Sequence, residues 1–416
     1  MTAALPMEWN VKTLRDLADI NYGRSPAAIL APDGRYPVVG TGGSERLGNA
    51  YLHDGESIIL GRKGTIDRVH FVTGKFWTID TAYYLTGFAE SVPKWLFYFL
   101  QTLDLRQMNE ATGVPSLSRE LLYKIKIPAP AKPEQTKIAE ILSVVDRAIE
   151  QTEALIAKQQ RIKTGLMQGL LTRGIDEHGN LRSETTHKFK DSLLGRIPME
   201  WEIDTIGNLF NMQLGKMLSK KATVGKSPAP YVGNKNVQWD SVDLVNLQEM
   251  DFNEYERKKY ALCYGDLLVC EGGEVGRTAM WRSELQPCFF QKAIHRLRPK
   301  NNRYLPGLLL PAMRFASITG RFADFTSQTS IAHLTQEKLA QFPLAVPPTT
   351  PRNEQEEIIR RLEKCVDAVE SETKLLRKLF RIKGGLMQDL LTGKRRVTPL
   401  LQAETPIKRE MYVKHG

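Results

Sequence analysis

Two stretches of the chain carry apolar or small residues at alternating steps of four and three. The first runs through Ile138, Leu142, Val145, Ile149, Thr152, Ile156 and Gln159, the second through Ile358, Leu362, Cys365, Val369, Leu376 and Leu379. A 3.5-residue repeat predicts long helices whose narrow seam is buried only by a partner helix. Pro133 and Glu134 after PAPAK, and Asn353 and Glu354 after PPTTPR, suit helix starts; Gly174 and Gly393 suit helix ends. The predicted helices span 134–173 and 354–393, each roughly 60 Å at 1.5 Å per residue. Elsewhere short apolar runs are punctuated by glycine. Ser57 to Leu60 leads through GRKG (61–64) into TIDRVHFV, and DLLVC (266–270) leads through EGGEVG into RTAMW, two hairpin-like patterns.

The chain also repeats itself. RIKTGLMQGLLT (161–172) and RIKGGLMQDLLT (381–392) agree at ten of twelve positions, 220 residues apart, and PEQTKIAEILSVVDRAIEQ aligns with NEQEEIIRRLEKCVDAVES at the same offset. LPMEWNVKTL from Leu5 and IPMEWEIDTI from Ile197 form a second pair. Equal helix length and shared register predict an intramolecular antiparallel coiled coil. The expected fold class is α+β: two mixed α/β domains separated by two long antiparallel helices, in a pseudo-twofold repeat. The expected division is a first domain (1–133), first helix (134–173), linker (174–197), second domain (198–353), second helix (354–393) and basic tail (394–416).

Composition narrows the classes. With 416 residues, 42% hydrophobic and 25% charged, the chain is long enough for more than one ordinary globular domain, which excludes collagen-like and wholly disordered readings. The net charge of +11 is spread: +2 on residues 1–133, +4 on 198–353 and +4 on the tail, with nearly neutral helices. That balance permits a polyanionic partner. The N-terminus lacks a signal-peptide pattern, and LPGLLLPAM (305–313) is too short to span a bilayer, so a cytoplasmic protein with no membrane partner is expected. The four cysteines lack CxxC spacing and read as mostly buried reduced thiols. No P-loop, HExxH, GxSxG or metal-ligand spacing occurs, so no catalytic residue and no metal site is expected.

Both globular stretches offer binding chemistry instead. Glycine-rich turns allow backbone N–H groups to approach phosphate, and Arg62, Lys63, Arg68 and Arg277 suit phosphates or guanine edges. Gly64 aligns with Gly273. Polar loops at PVVGTGGS (37–44) and YVGNKNVQW (231–239), and Ser/Thr/Gln segments at GVPSLSRE (113–120) and TSQTSIAHLTQE (326–337), suit phosphate and adenine contacts. Helix N-capping by Ser118 or Thr335 is an equal reading, and both roles can coexist.

These motifs together, from the PMEW start through GRKGTIDRVHF, the PEQ and NEQ helices and the two GLMQ-LLT runs, resemble the specificity (S) subunits of type I restriction-modification systems. The resemblance covers nearly the whole chain and implies a non-catalytic DNA-binding subunit of a restriction and DNA-methylation complex. Two target recognition domains would each read half of a bipartite asymmetric sequence in double-stranded DNA, while the helices fix the spacer. Methyltransferase (M) subunits would dock on the helices and restriction/translocase (R) subunits would join. No cofactor is expected on this chain; S-adenosylmethionine, ATP and Mg are implied on the partners. The implied DNA-facing residues are Thr41, Gly42, Arg62, Lys63, Thr65, Arg68, Ser116 and Ser118 for one half-site. For the other they are Asn234, Lys235, Asn236, Gly273, Arg277, Lys292, Gln328, Thr329 and Ser330. A coiled-coil scaffold without sequence-specific DNA reading is the alternative.

Overall fold

The computed structural model describes residues 6–218, 227–325, 333–350 and 353–404. It divides into two compact units: residues 1–154 with 373–416, and residues 155–372. Each unit therefore holds one globular stretch and one end of each long helix.

The main sheets of the two units share one topology although their sequences barely match. In the first, an antiparallel sheet has the order Asp19–Tyr22, Ala82–Thr86, Ser57–Gly61, Val69–Val72. In the second the order is Phe210–Leu214, Ile294–Pro299, Leu267–Cys270, Thr278–Met280. The strands that read as unbroken apolar runs, SIIL and LLVC, lie in the interior of these sheets and are buried along their length, as strands covered on both faces must be. A further sheet in each unit contains one parallel pairing, Val38 with Trp77 and Tyr231 with Phe289.

Both units also close in the same way. Asn10–Thr13 pairs antiparallel with Lys126–Ala129, and Glu202–Thr205 with Pro343–Val346. The start of each globular stretch is thereby pinned to its end, just ahead of a long helix. Those helices run Lys132–Thr172 and Glu354–Leu391. Asn353 caps the second, its Oδ1 accepting from the Glu356 N–H at 3.3 Å, and Gly174 and Gly393 take left-handed φ values of 65° and 73°.

Within the first unit Ile138 and Leu142 share one core with Leu390 and Leu391; within the second Met167 and Leu170 share one with Ile358 and Leu362. Each unit thus packs the start of one helix beside the end of the other, an antiparallel arrangement. Of the expected seam, Ile138, Leu142, Ile149, Ile358 and Leu362 are buried, whereas Val145, Ile156, Cys365, Val369 and Leu376 are half-buried. The strongest burial falls near the helix starts, where sheet and strand-pair residues also cover the seam.

The repeated PEQ and NEQ motifs are explained by what they hold. Gln135 Oε1 accepts from the Val92 N–H and its Nε2 donates to the Pro130 carbonyl. Gln355 does the same with the Leu305 N–H and the Pro347 carbonyl. Val92 and Leu305 are the N-cap residues of the buried helices Pro93–Gln101 and Pro306–Ile318. The preceding glutamates close two matching clasps. Glu134 accepts from Trp9 Nε1 at 3.2 Å and from Arg396 at 2.7 and 2.9 Å. Glu354 accepts from Trp201 Nε1 at 3.1 Å, from both terminal nitrogens of Arg182, and from the Ile175 N–H. The PMEW tryptophan is thus the indole donor to a buried carboxylate in each unit.

Two further segments are built into the fold. Within the linker 174–197 Arg182 is buried and Phe189–Lys190 pairs with Ile197–Pro198. At the start of the basic tail Arg396 joins the Glu134 clasp, Val397 enters the first core, and Thr398–Glu404 is helical. Residues 405–416 lie outside the described residues. LPGLLLPAM belongs to the buried Pro306–Ile318 helix, and no helix among the described residues is long and apolar enough to cross a membrane.

Candidate nucleic-acid interface

In the first unit the GRKG loop leaves the buried strand Ser57–Gly61 and is laced to the segment 114–118. The Gly64 N–H donates to the Pro115 carbonyl, the Leu117 N–H donates to the Arg62 carbonyl, and Lys63 bridges Ser116. The Gly64 φ of 85° makes that turn possible. Two segments about 50 residues apart in sequence thereby line one open cavity of about 340 Å³. At its centre stands Tyr22, 45% exposed, with the Arg62 guanidinium 5.1 Å and the Arg119 guanidinium 5.0 Å from its ring centroid. Tyr83 meets Tyr22 edge-on at 5.2 Å and donates its hydroxyl to the Leu117 carbonyl, and burial raises its pKa.

The second unit latches its counterpart loops by other means. Asn236 is buried, its Oδ1 accepting from the Gly233 N–H and its Nδ2 donating to the Asp243 carbonyl. Asn234 Nδ2 donates to the Gly272 carbonyl, and Arg277 Nη2 donates to the Asn234 carbonyl at 2.8 Å. Arg277 also lies 3.6 Å from Glu274 and is largely buried. These bonds tie 233–238 to the glycine-rich turn, where Gly273 has φ 75°. The resulting cavity of about 600 Å³ is lined by Tyr231, Asn234, Lys235, Gln238, Gln248 and Gln291 among others.

The expected residues fall into distinct groups. Arg62, Lys63, Ser116 and Ser118 converge on the first cavity, and Asn234, Lys235, Asn236 and Arg277 on the second. Of these, Asn236 and Arg277 hold loops with their polar atoms, and Ser118 caps the Arg119–Tyr123 helix by accepting from the Leu121 N–H. Thr335 likewise caps Gln336–Ala340. Thr41 and Gly42 stand apart, on the turn after Tyr36–Gly40, where the Thr41 carbonyl lies 3.1 Å from His70 Nε2. Thr65, Arg68, Gly273 and Lys292 are exposed without lining either cavity. Gln328, Thr329 and Ser330 lie outside the described residues.

Sequence reasoning missed Tyr22 and Tyr83 in the first cavity and Gln248 and Gln291 in the second, and did not single out Arg119, Tyr231 and Gln238 within the segments 113–120 and 231–239. Arg119 and Gln291 adjoin expected residues and were within reach; Tyr22 carries no local signal. Among the described residues no group of three His, Cys, Asp or Glu is placed to hold a metal ion. Burial pushes the Cys270 thiol up to about 11 and the Cys288 thiol up to about 12, so both stay protonated and unreactive at neutral pH. Cys263, by contrast, is exposed.

The chain thus carries two domains built on the same main sheet, each displaying a differently lined cavity and joined to the long helices. The family described as "Type I restriction modification DNA specificity domain" matches residues 6–159 and 198–381, and the chain belongs to that family. It is 24% identical to the type I restriction enzyme MjaVIII specificity subunit of Methanocaldococcus jannaschii, over 95% of each chain. It is 22% identical to the EcoDI specificity subunit of Escherichia coli, over 97% of this chain and 91% of that one. The crystal structure of the type I system S subunit from M. genitalium shares the fold at a TM-score of 0.63, with 18% identity over 94% of this chain and 98% of that one. A structure from work on complex assembly and conformational transition of the type I R-M system matches at 0.55, with 14% identity over 94% and 99%.

Proposed function

We propose that this chain reads a bipartite, asymmetric sequence in double-stranded DNA on behalf of a type I restriction-modification complex, one half-site per unit. The observation that carries the reading is the pair of topologically matched cavities with unlike linings. The first sets two arginines around Tyr22; the second also holds Tyr231, Lys235 and Arg277 but spends Arg277 on a loop carbonyl and adds the amides of Asn234, Gln238, Gln248 and Gln291. Guanidinium groups suit guanine edges and side-chain amides suit adenine, so unlike linings favour unlike half-sites. In this reading the helices set the unread spacer and dock methyltransferase subunits, and restriction/translocase subunits join them. Large apolar side chains left exposed on the helices, among them Phe380 at 50% and Ile162 at 51%, support a protein partner there. S-adenosylmethionine, ATP and Mg belong to those partners.

The test is co-expression with the cognate methyltransferase subunit in a methylation-free host, followed by methylome sequencing. One bipartite adenine-methylated motif is expected. Assembly with the partner but no sequence-selective methylation or DNA retention refutes DNA reading and leaves the scaffold.

A further inference from the structure

We propose that Arg119 recognises a guanine in the half-site read by the first unit; this rests on the DNA-reading function above and names the base and the residue. Of the two arginines in its cavity, Arg119 is the one whose side chain makes no hydrogen bond among the described residues. Arg62, on the same tyrosine, donates Nη1 to the Asp80 carbonyl at 3.1 Å. The adjacent Glu120 is engaged by Arg15 at 3.1 Å. Arg119 is held instead by the Tyr22 ring, and its Nε is shut from water with no acceptor.

That combination favours a base over a phosphate. A guanidinium seated over an aromatic face with its Nε buried is restrained in orientation, and its two terminal nitrogens suit the adjacent acceptors O6 and N7 of guanine; a phosphate makes no such demand on orientation. Glu110 and Glu120 line the same cavity, and their carboxylates oppose a phosphate there. The exposed Lys63, which also lines it, is the better phosphate contact. Tyr22 is therefore a positioning residue for Arg119, with its own ring braced edge-on by Tyr83.

The experiment uses the complete complex with its methyltransferase partner. Methylomes and competition binding on duplexes substituted at each target position are compared for wild type, Arg119→Ala, Arg119→Lys and Lys63→Ala. Arg119→Ala should erase about 10- to 100-fold discrimination at one G·C pair of one half-site, leaving the other half-site intact. Arg119→Lys keeps the charge and the cation over the ring yet should lose the same discrimination, so the proposal stays testable if the alanine variant misfolds. Lys63→Ala should weaken binding evenly across sequences and lower its salt dependence. An unchanged motif in Arg119→Lys, a merely uniform loss of affinity, or relaxation in the other half-site overturns the proposal while leaving the bipartite reading intact. Absence of any bipartite motif in the wild-type complex overturns both.

Discussion

Replacing Glu354 with Gln should destabilise the second unit more than removing both charges of its clasp together. Glu354 is buried and takes two hydrogen bonds from Arg182, one from Trp201 Nε1 and one from the Ile175 N–H. The Arg182 and Glu354 side chains are 10% and 6% exposed. Glu354→Gln strands a buried guanidinium beside a neutral amide, and one amide nitrogen must then face donors. Breaking a buried, hydrogen-bonded ion pair from one side costs about 3–5 kcal/mol. At about 2–4 °C per kcal/mol for a unit of this size, the expected fall in Tm is roughly 6–20 °C. The double variant Arg182→Met/Glu354→Gln removes both charges together while keeping an amide oxygen as acceptor for the Ile175 and Trp201 donors, and should cost clearly less, because the attraction of such a pair is largely offset by its desolvation. Differential scanning calorimetry with hydrogen exchange, which resolves the second unit, measures both variants. A single-variant cost below about 1 kcal/mol, or a double variant as damaging as the single one, refutes the argument. Glu134→Gln in the first unit should cost less than Glu354→Gln, since Arg396 is 25% exposed and keeps some water.

Gly174→Ala should cost at least about 2 kcal/mol, since φ is 65° and the new methyl would sit 2.2 Å from Glu354 Oε1, whereas Gly165→Ala, with open space at mid-helix, should stabilise by about 0.5–1 kcal/mol; urea unfolding of both checks the contrast. Burial holds the His295 imidazole below its ordinary pKa of 6.5, and its Nδ1 has no partner. The unfolded chain therefore takes the proton first, so this contribution is complete above about pH 6.5 and is lost, by up to about 1.4 kcal/mol per pH unit, as pH falls toward the folded value. Unfolding at pH 7.5 and 5.5 should show a shallower slope in His295→Gln, and an unchanged slope counts against it. Arg277→Ala should release the Asn234 loop and relax only the half-site of the second unit, read by methylome sequencing; a change in both half-sites contradicts the latch.

Periodicity made the helices, their register and the duplication legible, because a seam at 3.5-residue spacing and a near-identical run such as GLMQ-LLT are local patterns. The glycine-rich turns were legible for the same reason. Arg277 shows the limit: as a residue type after a glycine-rich turn it suits base contact, yet the fold spends it on the Asn234 carbonyl. Backbone geometry shows Ser118 and Thr335 to be N-caps, and Ser118 lines the first cavity as well.

By itself, then, the sequence determined the repeated plan and the long helices, for these follow from spacing along the chain. Only the tertiary structure decided that both globular stretches share one strand order, since hydrogen-bonded pairing constrains backbone and burial far more than residue identity. Only it brought Tyr22, Arg62 and Arg119 to one cavity across nearly 100 residues, and turned the PMEW tryptophans and PEQ glutamates into clasps with Arg396 and Arg182. A buried carboxylate must find its donors wherever the fold delivers them, and that partner choice is written in space.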